Sequence, residues 1–201
     1  RRASSSKRKN LYIGITSAAA LIVLMLVLWP MMRLETPAES IQVFASLEAP
    51  KEITYSETGE RMEVSTPAGT TTTITLSDGT GVLLSANSRL AYHKDFSDEK
   101  REVTLVGEAR FNVTKDAQRP FIVHTEQLQT QALGTVFDVK AYPQAHPDVT
   151  LYEGRVEVSL NGDAPQLMQP GEQAFLNKEG KLQLAKASEE KGKWAEGEFA
   201  F

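Results

Sequence analysis

Residues 11–32, LYIGITSAAALIVLMLVLWPMM, run for 22 positions without a charged side chain. As a helix rising 1.5 Å per residue, such a run is about 33 Å long, against a hydrocarbon core of roughly 30 Å. Tyr12 and Trp29 stand near its two ends, where amphipathic aromatics favour the headgroup level. Pro30 falls at the far end, where a kink or stop costs little. A cleaved signal peptide has an apolar core of about 7–15 residues ending in a small-x-small site. This run is longer and ends in Trp-Pro-Met-Met-Arg, so a retained transmembrane helix is expected over 11–32.

Charge then orients the chain. Residues 1–10, RRASSSKRKN, carry five Lys/Arg and no acid, whereas Arg33, Glu35 and Glu39 follow the apolar run. Loops rich in Lys and Arg stay in the cytoplasm, so 1–10 reads as a cytoplasmic basic tail and the rest lies on the outer side. From Leu34 onward there are 16 Lys/Arg against 26 Asp/Glu, a net charge of −10. That balance argues against direct nucleic-acid binding, which needs a basic patch. The first residue is Arg1 rather than Met, as in a fragment or a processed form. With no cysteine, a disulfide framework, a Cys-based metal site and a catalytic thiol are all excluded.

Residues 33–60 read as a linker, with Pro and charges in LETPAES, followed by a weakly patterned segment. From Arg61 the signal is β throughout. MEVST, TTTITL, GVLLSA, REVTLV, ARFNVT, PFIVHT, TVFDVKAY, VTLYEG, RVEVSL, EQAFLN and KLQLAK are short runs rich in Val, Ile, Thr, Phe and Tyr. Several alternate cleanly, placing Ile74/Leu76, Val103/Leu105, Ala109/Phe111/Val113 and Val156/Val158/Leu160 on one face each. Asp78-Gly79, Asn161-Gly162 and Glu179-Gly180 separate strand-like runs as hairpin turns do. Glu153-Gly154, Pro170-Gly171 and Val106-Gly107-Glu108 read as further tight connections. Residues 61–184 are therefore expected to form an all-β domain: an antiparallel sandwich, a jelly roll or a rolled sheet. A weak helical pattern over Ala185–Trp194 is broken by Gly192, and 185–201 reads as a linker.

Few residues carry enzyme chemistry. His93, His124 and His146 lack metal-ligand spacing. No G-x-S-x-G elbow and no phosphate-cradling glycine motif occurs. The paired acids Asp98-Glu99 and Glu189-Glu190 sit in charge-rich connectors and read as solvated. No cofactor and no metal is expected, and nothing points to an enzyme acting on a foreign substrate.

Gly134-Thr135, inside ALGTVFDV, is the exception. A glycine weakens a strand unless it marks a bulge or a close backbone approach. A threonine hydroxyl can also attack the carbonyl of the residue before it, moving the acyl group from nitrogen to oxygen and leaving a labile ester. Glycine on the acyl side leaves that carbonyl open and widens the backbone choice. Gly69-Thr70 and Gly79-Thr80 are similar pairs for which turn formation suffices. From residue types alone, Gly134 and Thr135 stand as a strand bulge or as a self-cleavage site.

An ordered set of motifs resembles the FecR family of transmembrane anti-sigma regulators. The motifs are TPAGTTTTITLSDGTGVLLSANSRL (66–90), REVTLVGEARFNV (101–113), RPFIVHT (119–125), LGTVFDVKAY (133–142), LYEGRVEV (151–158) and LMQPGEQ (167–173). They cover about 66–173 in order; Ser85 replaces the family's usual Asn, and Leu83 or Leu84 a common aromatic. The resemblance implies a single-pass inner-membrane protein with a periplasmic all-β region. It also implies a cytoplasmic segment before Arg1 that binds an ECF sigma factor. Beyond KWAEGEFAF (193–201) it implies a C-terminal domain that receives the signal of a TonB-dependent outer-membrane transporter. Some members are thought to cleave themselves at the Gly-Thr of L-G-T-x-F, which maps to Gly134 and Thr135. Two alternatives share the topology: a lipid-transport scaffold like LptC, which needs an elongated apolar groove, and a plain anchored protein-binding β-domain.

Overall fold

The computed structural model describes residues 51–160, 163–188 and 191–196. The expected membrane helix, 11–32, and the basic tail lie outside the described residues. Among those described, no helix is long and apolar enough to cross a membrane.

The described chain is β throughout, apart from one 3₁₀ turn at Lys193–Glu196. Its strands are β1 Thr54–Thr58, β2 Arg61–Ser65, β3 Thr72–Thr75, β4 Gly81–Leu84, β5 Arg89–His93, β6 Arg101–Asn112 and β7 Phe121–His124. There follow β8 Leu128–Ala132, β9 Val136–Ala141, β10 Asp148–Glu153, β11 Val156–Leu160, β12 Gln166–Met168, β13 Glu172–Leu176 and β14 Leu182–Lys186. The strands thus begin at Thr54 and end at Lys186, beyond both expected bounds of 61–184. Asp78-Gly79 and Glu179-Gly180 do turn antiparallel hairpins, β3–β4 and β13–β14. Asn161-Gly162 lies outside the described residues, although the flanking β11 and β12 pair.

Hydrogen bonds join all fourteen strands into one sheet that folds back on itself as two leaves. The first leaf runs β1-β2-β5-β6-β7-β8-β11-β12, and the second runs β3-β4-β6-β9-β10-β13-β14. Pairing is antiparallel except where Arg101–Thr104 of β6 run parallel to Phe121–His124 of β7. Strand β6 belongs to both leaves. Its residues up to Val106 pair with β5, and those from Gly107 pair with β9.

This corrects the expectation of a tight connection at Val106-Gly107-Glu108. Burial alternates without a break over β6, so Val103, Leu105, Gly107, Ala109 and Phe111 all point inward. A period of two carried through the glycine marks a continuous strand that bends rather than two strands and a turn.

The inward faces of both leaves share one core. Phe111 of β6 stacks on Phe137 of β9 with ring centroids 5.3 Å apart, and lies 5.8 Å from Phe121 on the first leaf. Around them Val82, Leu84, Leu90, Leu105, Val139, Leu151 and Val158 are fully buried. Each such side chain stabilises the fold by about 1.5–3 kcal/mol relative to leaving it in water. The alternation read from the sequence is borne out at every position named except Leu160, which is only partly buried.

Candidate functional site

Chain segments cross between the leaves at two corners, and Gly134-Thr135 lies in one of them. Strand β8 pairs with β11 in the first leaf, whereas β9 pairs with β10 in the second. The two segments therefore form a ribbon that passes from leaf to leaf. One side of the crossing is Leu133-Gly134-Thr135, and the other is Gly154-Arg155. The pairing resumes at Ala132 with Val156 on one side and Val136 with Glu153 on the other. Three residues thus face two, and β10 takes up a further residue as a bulge at Tyr152, between Leu151 and Glu153. ALGTVFDV is not one strand with a flawed edge. Ala132 ends β8, Val136 begins β9, and the pair between them turns the corner.

The backbone at this corner is crowded on two sides. Gly134 has φ +142°, and a Cβ there would lie 2.8 Å from Lys115 Cα, so the position admits only glycine. Gly154 has φ +88°, and a Cβ there would lie 2.6 Å from Thr135 Cγ2 and 2.9 Å from the Gly134 carbonyl oxygen. One α-hydrogen of Gly154 therefore points at the Gly134–Thr135 peptide. Thr135 O accepts from Val113 N at 3.0 Å, and Leu133 O accepts from Asp116 N at 3.1 Å. These two bonds fix both flanks of the Gly134 carbonyl while leaving that carbonyl itself out of the ladder.

Thr135 is 4% exposed, and its hydroxyl makes no hydrogen bond among the described residues. Leaving a buried hydroxyl unpaired costs about 1–3 kcal/mol. Thr130 and Thr150 share this condition, so an unpaired hydroxyl does not by itself mark a reactive residue. Thr135 differs in lying beside a glycine carbonyl held in a conformation other residues avoid.

A polar cluster adjoins the corner on the outer face of the second leaf. Asp138 of β9 is 5% exposed and takes a two-pronged contact from Arg110, Nε to Oδ1 at 2.8 Å and Nη2 to Oδ2 at 3.1 Å. The hydroxyl of Tyr152, the bulged residue of β10, donates to Asp138 Oδ2 at 2.8 Å. Trp194 Nε1 donates to the same oxygen at 3.0 Å. Burial, together with the charge of Asp138, pushes the Tyr152 hydroxyl pKa upward, keeping it a proton donor.

Sequence reasoning located Gly134 and Thr135 but missed Gly154 as their partner and Asp138 as a neighbour. Glu153-Gly154 reads locally as a turn; only the odd residue count between paired strands betrays a crossing. The histidines are dispersed: His124 contacts Glu102 at 3.0 Å, and no cluster of metal-ligating residues occurs among the described residues.

The described residues thus form a two-leaf all-β domain with glycine corners at L-G-T and Y-E-G, and part of it matches a known family. Residues 62–157, just under half of the chain, match the family described as FecR protein. Two similar solved structures are those of a candidate anti-sigma factor from Parabacteroides distasonis ATCC 8503. The 2.50 Å structure is 34% identical, covers 68% of this chain and has a TM-score of 0.64. The 1.65 Å structure is 35% identical, covers 67% of this chain and has a TM-score of 0.63. The chain spans 65% of the length of each. No curated protein matches.

Proposed function

We propose that the chain is a single-pass inner-membrane regulator of an ECF sigma factor, with its β-domain in the periplasm and its N-terminus in the cytoplasm. The FecR match over 62–157, the candidate anti-sigma description of the structural neighbours, and the uncharged run at 11–32 behind a basic tail support this reading. The signal arrives from a TonB-dependent outer-membrane transporter through a C-terminal domain, and the sigma factor is held by a cytoplasmic one. No direct nucleic-acid contact is involved. The packed core favours this role over lipid transport. Phe111, Phe121 and Phe137 fill the space between the leaves that a lipid groove would need.

The Gly134-Thr135 corner carries the chemical part of the proposal: a single self-cleavage rather than turnover. Thr135 Oγ attacks the Gly134 carbonyl carbon, the Gly134–Thr135 C–N bond breaks, and the hydroxyl proton passes to the freed amine. The resulting ester then takes up water, giving a Gly134 carboxylate and restoring the Thr135 hydroxyl beside a new amino terminus. The observation behind this step is the corner itself: a buried hydroxyl without a partner, next to a glycine at φ +142° whose carbonyl faces Gly154. The β8–β11 and β9–β10 pairing and the shared core hold the two pieces together after the break.

A sigma-dependent reporter in cells tests the reading. The wild-type full-length protein is expected to switch the reporter on when inducer is supplied, and a Thr135→Ala version to leave it locked. Equal induction by both would remove cleavage from the signalling route, and an unchanged reporter after deletion of 51–196 would remove the domain itself.

A further inference from the structure

The residues after β14 do not leave the domain as a free linker. Lys191 Nζ pairs with both oxygens of Asp148, at 3.0 and 3.1 Å, at the start of β10. Gly192 O accepts from Arg110 Nη2 at 3.0 Å. Trp194 Nε1 donates to Asp138 on β9, and Arg110 lies over the rings of both Tyr152 and Trp194, 4.7 and 5.8 Å from their centroids. Gly192 has φ +89°, and a Cβ there would lie 2.5 Å from the Tyr152 hydroxyl and still closer to Arg110 Nη2. The close passage over Tyr152 therefore requires glycine. Residues 191–196 form a strap laid across β6, β9 and β10.

The strap grips the two strands that frame the corner. Asp138 follows Thr135 by three residues on β9. Tyr152 precedes Gly154 by two on β10 and is the bulged residue that lets Gly154 meet the Gly134 carbonyl. Asp138 Oδ2 receives both Tyr152 and Trp194, so the bulge and the strap share one acceptor.

We infer that docking of 191–196 on the Asp138–Arg110–Tyr152 cluster sets the geometry of the Gly134-Thr135 corner, and that lifting Trp194 off this cluster resets it. The strap is the mechanical input to the site, and force or binding on the chain beyond Glu196 is what moves it. Its chemical output rests on the self-cleavage reading; the coupling between strap and corner does not.

Hydrogen exchange on the full-length protein in detergent tests the coupling, with Thr135→Ala included so that every sample keeps one covalent form. Trp194→Ala removes the indole donor, whereas Gly192→Ala blocks docking while leaving every polar partner in place. Both are expected to speed exchange of the amides in 133–141 and 148–156 by about tenfold, the factor for losing one hydrogen bond to a buried charge. Exchange in the β2–β5 pair, which the strap does not touch, is expected to stay unchanged. Unchanged exchange around the corner in both variants would overturn the proposal, as would equal acceleration in β2–β5, which indicates general loosening. Cleavage is then read separately by restoring Thr135. A corner that loosens in a chain that never splits leaves the strap standing and removes self-cleavage.

Discussion

The domain turns between its leaves at two corners built to one plan and finished differently. At the first, Gly107 bends β6 with φ +102° beneath the β4–β5 crossing, where a Cβ would lie 2.7 Å from Ser88 Cα. At the second, Gly134 and Gly154 bend the β8–β9 and β10–β11 crossings past each other. Each corner pairs a glycine with a buried hydroxyl. The Ser88 hydroxyl accepts from Glu108 N at 2.8 Å and donates to Ala86 O at 3.0 Å. Nearby, the Thr66 hydroxyl accepts from Ser88 N, and Tyr142 OH donates to Ala86 O. The first corner is thus closed by satisfied bonds, as a scaffold should be. The Thr135 hydroxyl has none, although it sits in the same kind of place. The first corner is a bend whose hydroxyl is satisfied, whereas the second leaves a buried hydroxyl unpaired beside the Gly134 carbonyl.

The largest effect expected from breaking this comparison comes from Gly107→Ala. Its Cβ would press on Ser88 backbone at a φ that side chains avoid, so a loss of at least about 3 kcal/mol is expected. Thermal unfolding should show it as a drop of roughly 10 °C. Gly154→Ala is expected to cost about 2 kcal/mol, because at φ +88° its Cβ would press on the Thr135 methyl and the Gly134 carbonyl oxygen. It should also change the fraction of chain split at Gly134, which Gly107→Ala should not at matched stability. The hydroxyls themselves give the sharpest contrast. Ser88→Ala leaves the Glu108 amide unpaired and should cost about 1–2 kcal/mol, whereas Thr135→Val removes an unpaired group and should gain about 1 kcal/mol. Denaturant midpoints of the two variants should move in opposite directions; a loss in both would erase the distinction between the corners.

The smallest effect concerns pH. Burial, with the charges of Asp138 and Asp148 added, raises the Glu108 pKa above its usual 4.5, and Lys140 and Lys191 only partly oppose this. A carboxyl raised on folding favours the native state when protonated, so its contribution is complete below about pH 4.5 and is lost as pH rises through the shifted value. Glu108→Gln should therefore flatten the decline of melting temperature above pH 4.5 without altering its value below.

Much of the fold was legible because it is local. Period-two alternation marked most strands and nearly all of the core, and Asp-Gly and Glu-Gly marked hairpins. What stayed hidden depends on distant partners. In β8 only Leu128 and Ala132 are apolar inward residues, with Thr130 between them, so alternation is too weak to announce a strand. The β5 run RLAYH and the fully exposed β1 likewise carry little apolar contrast. Gly107 looked like a turn because a glycine between two good strands is equally a break or a bend. The site was half legible: Gly134-Thr135 stood out as a glycine against the pattern. Asp138 did not, since an acid at a pleat position reads as solvated until Trp194, 56 residues later, closes over it.

The central claim is that the Thr135 corner is the reactive one. Intact mass of the purified full-length protein, held under native conditions, tests it most directly. The expected result is two pieces, one ending at Gly134 and one beginning at Thr135, together gaining one water, with Thr135→Ala remaining a single chain. A single unsplit mass for the wild-type protein after prolonged incubation would contradict it and leave Gly134-Thr135 as a bend like Gly107.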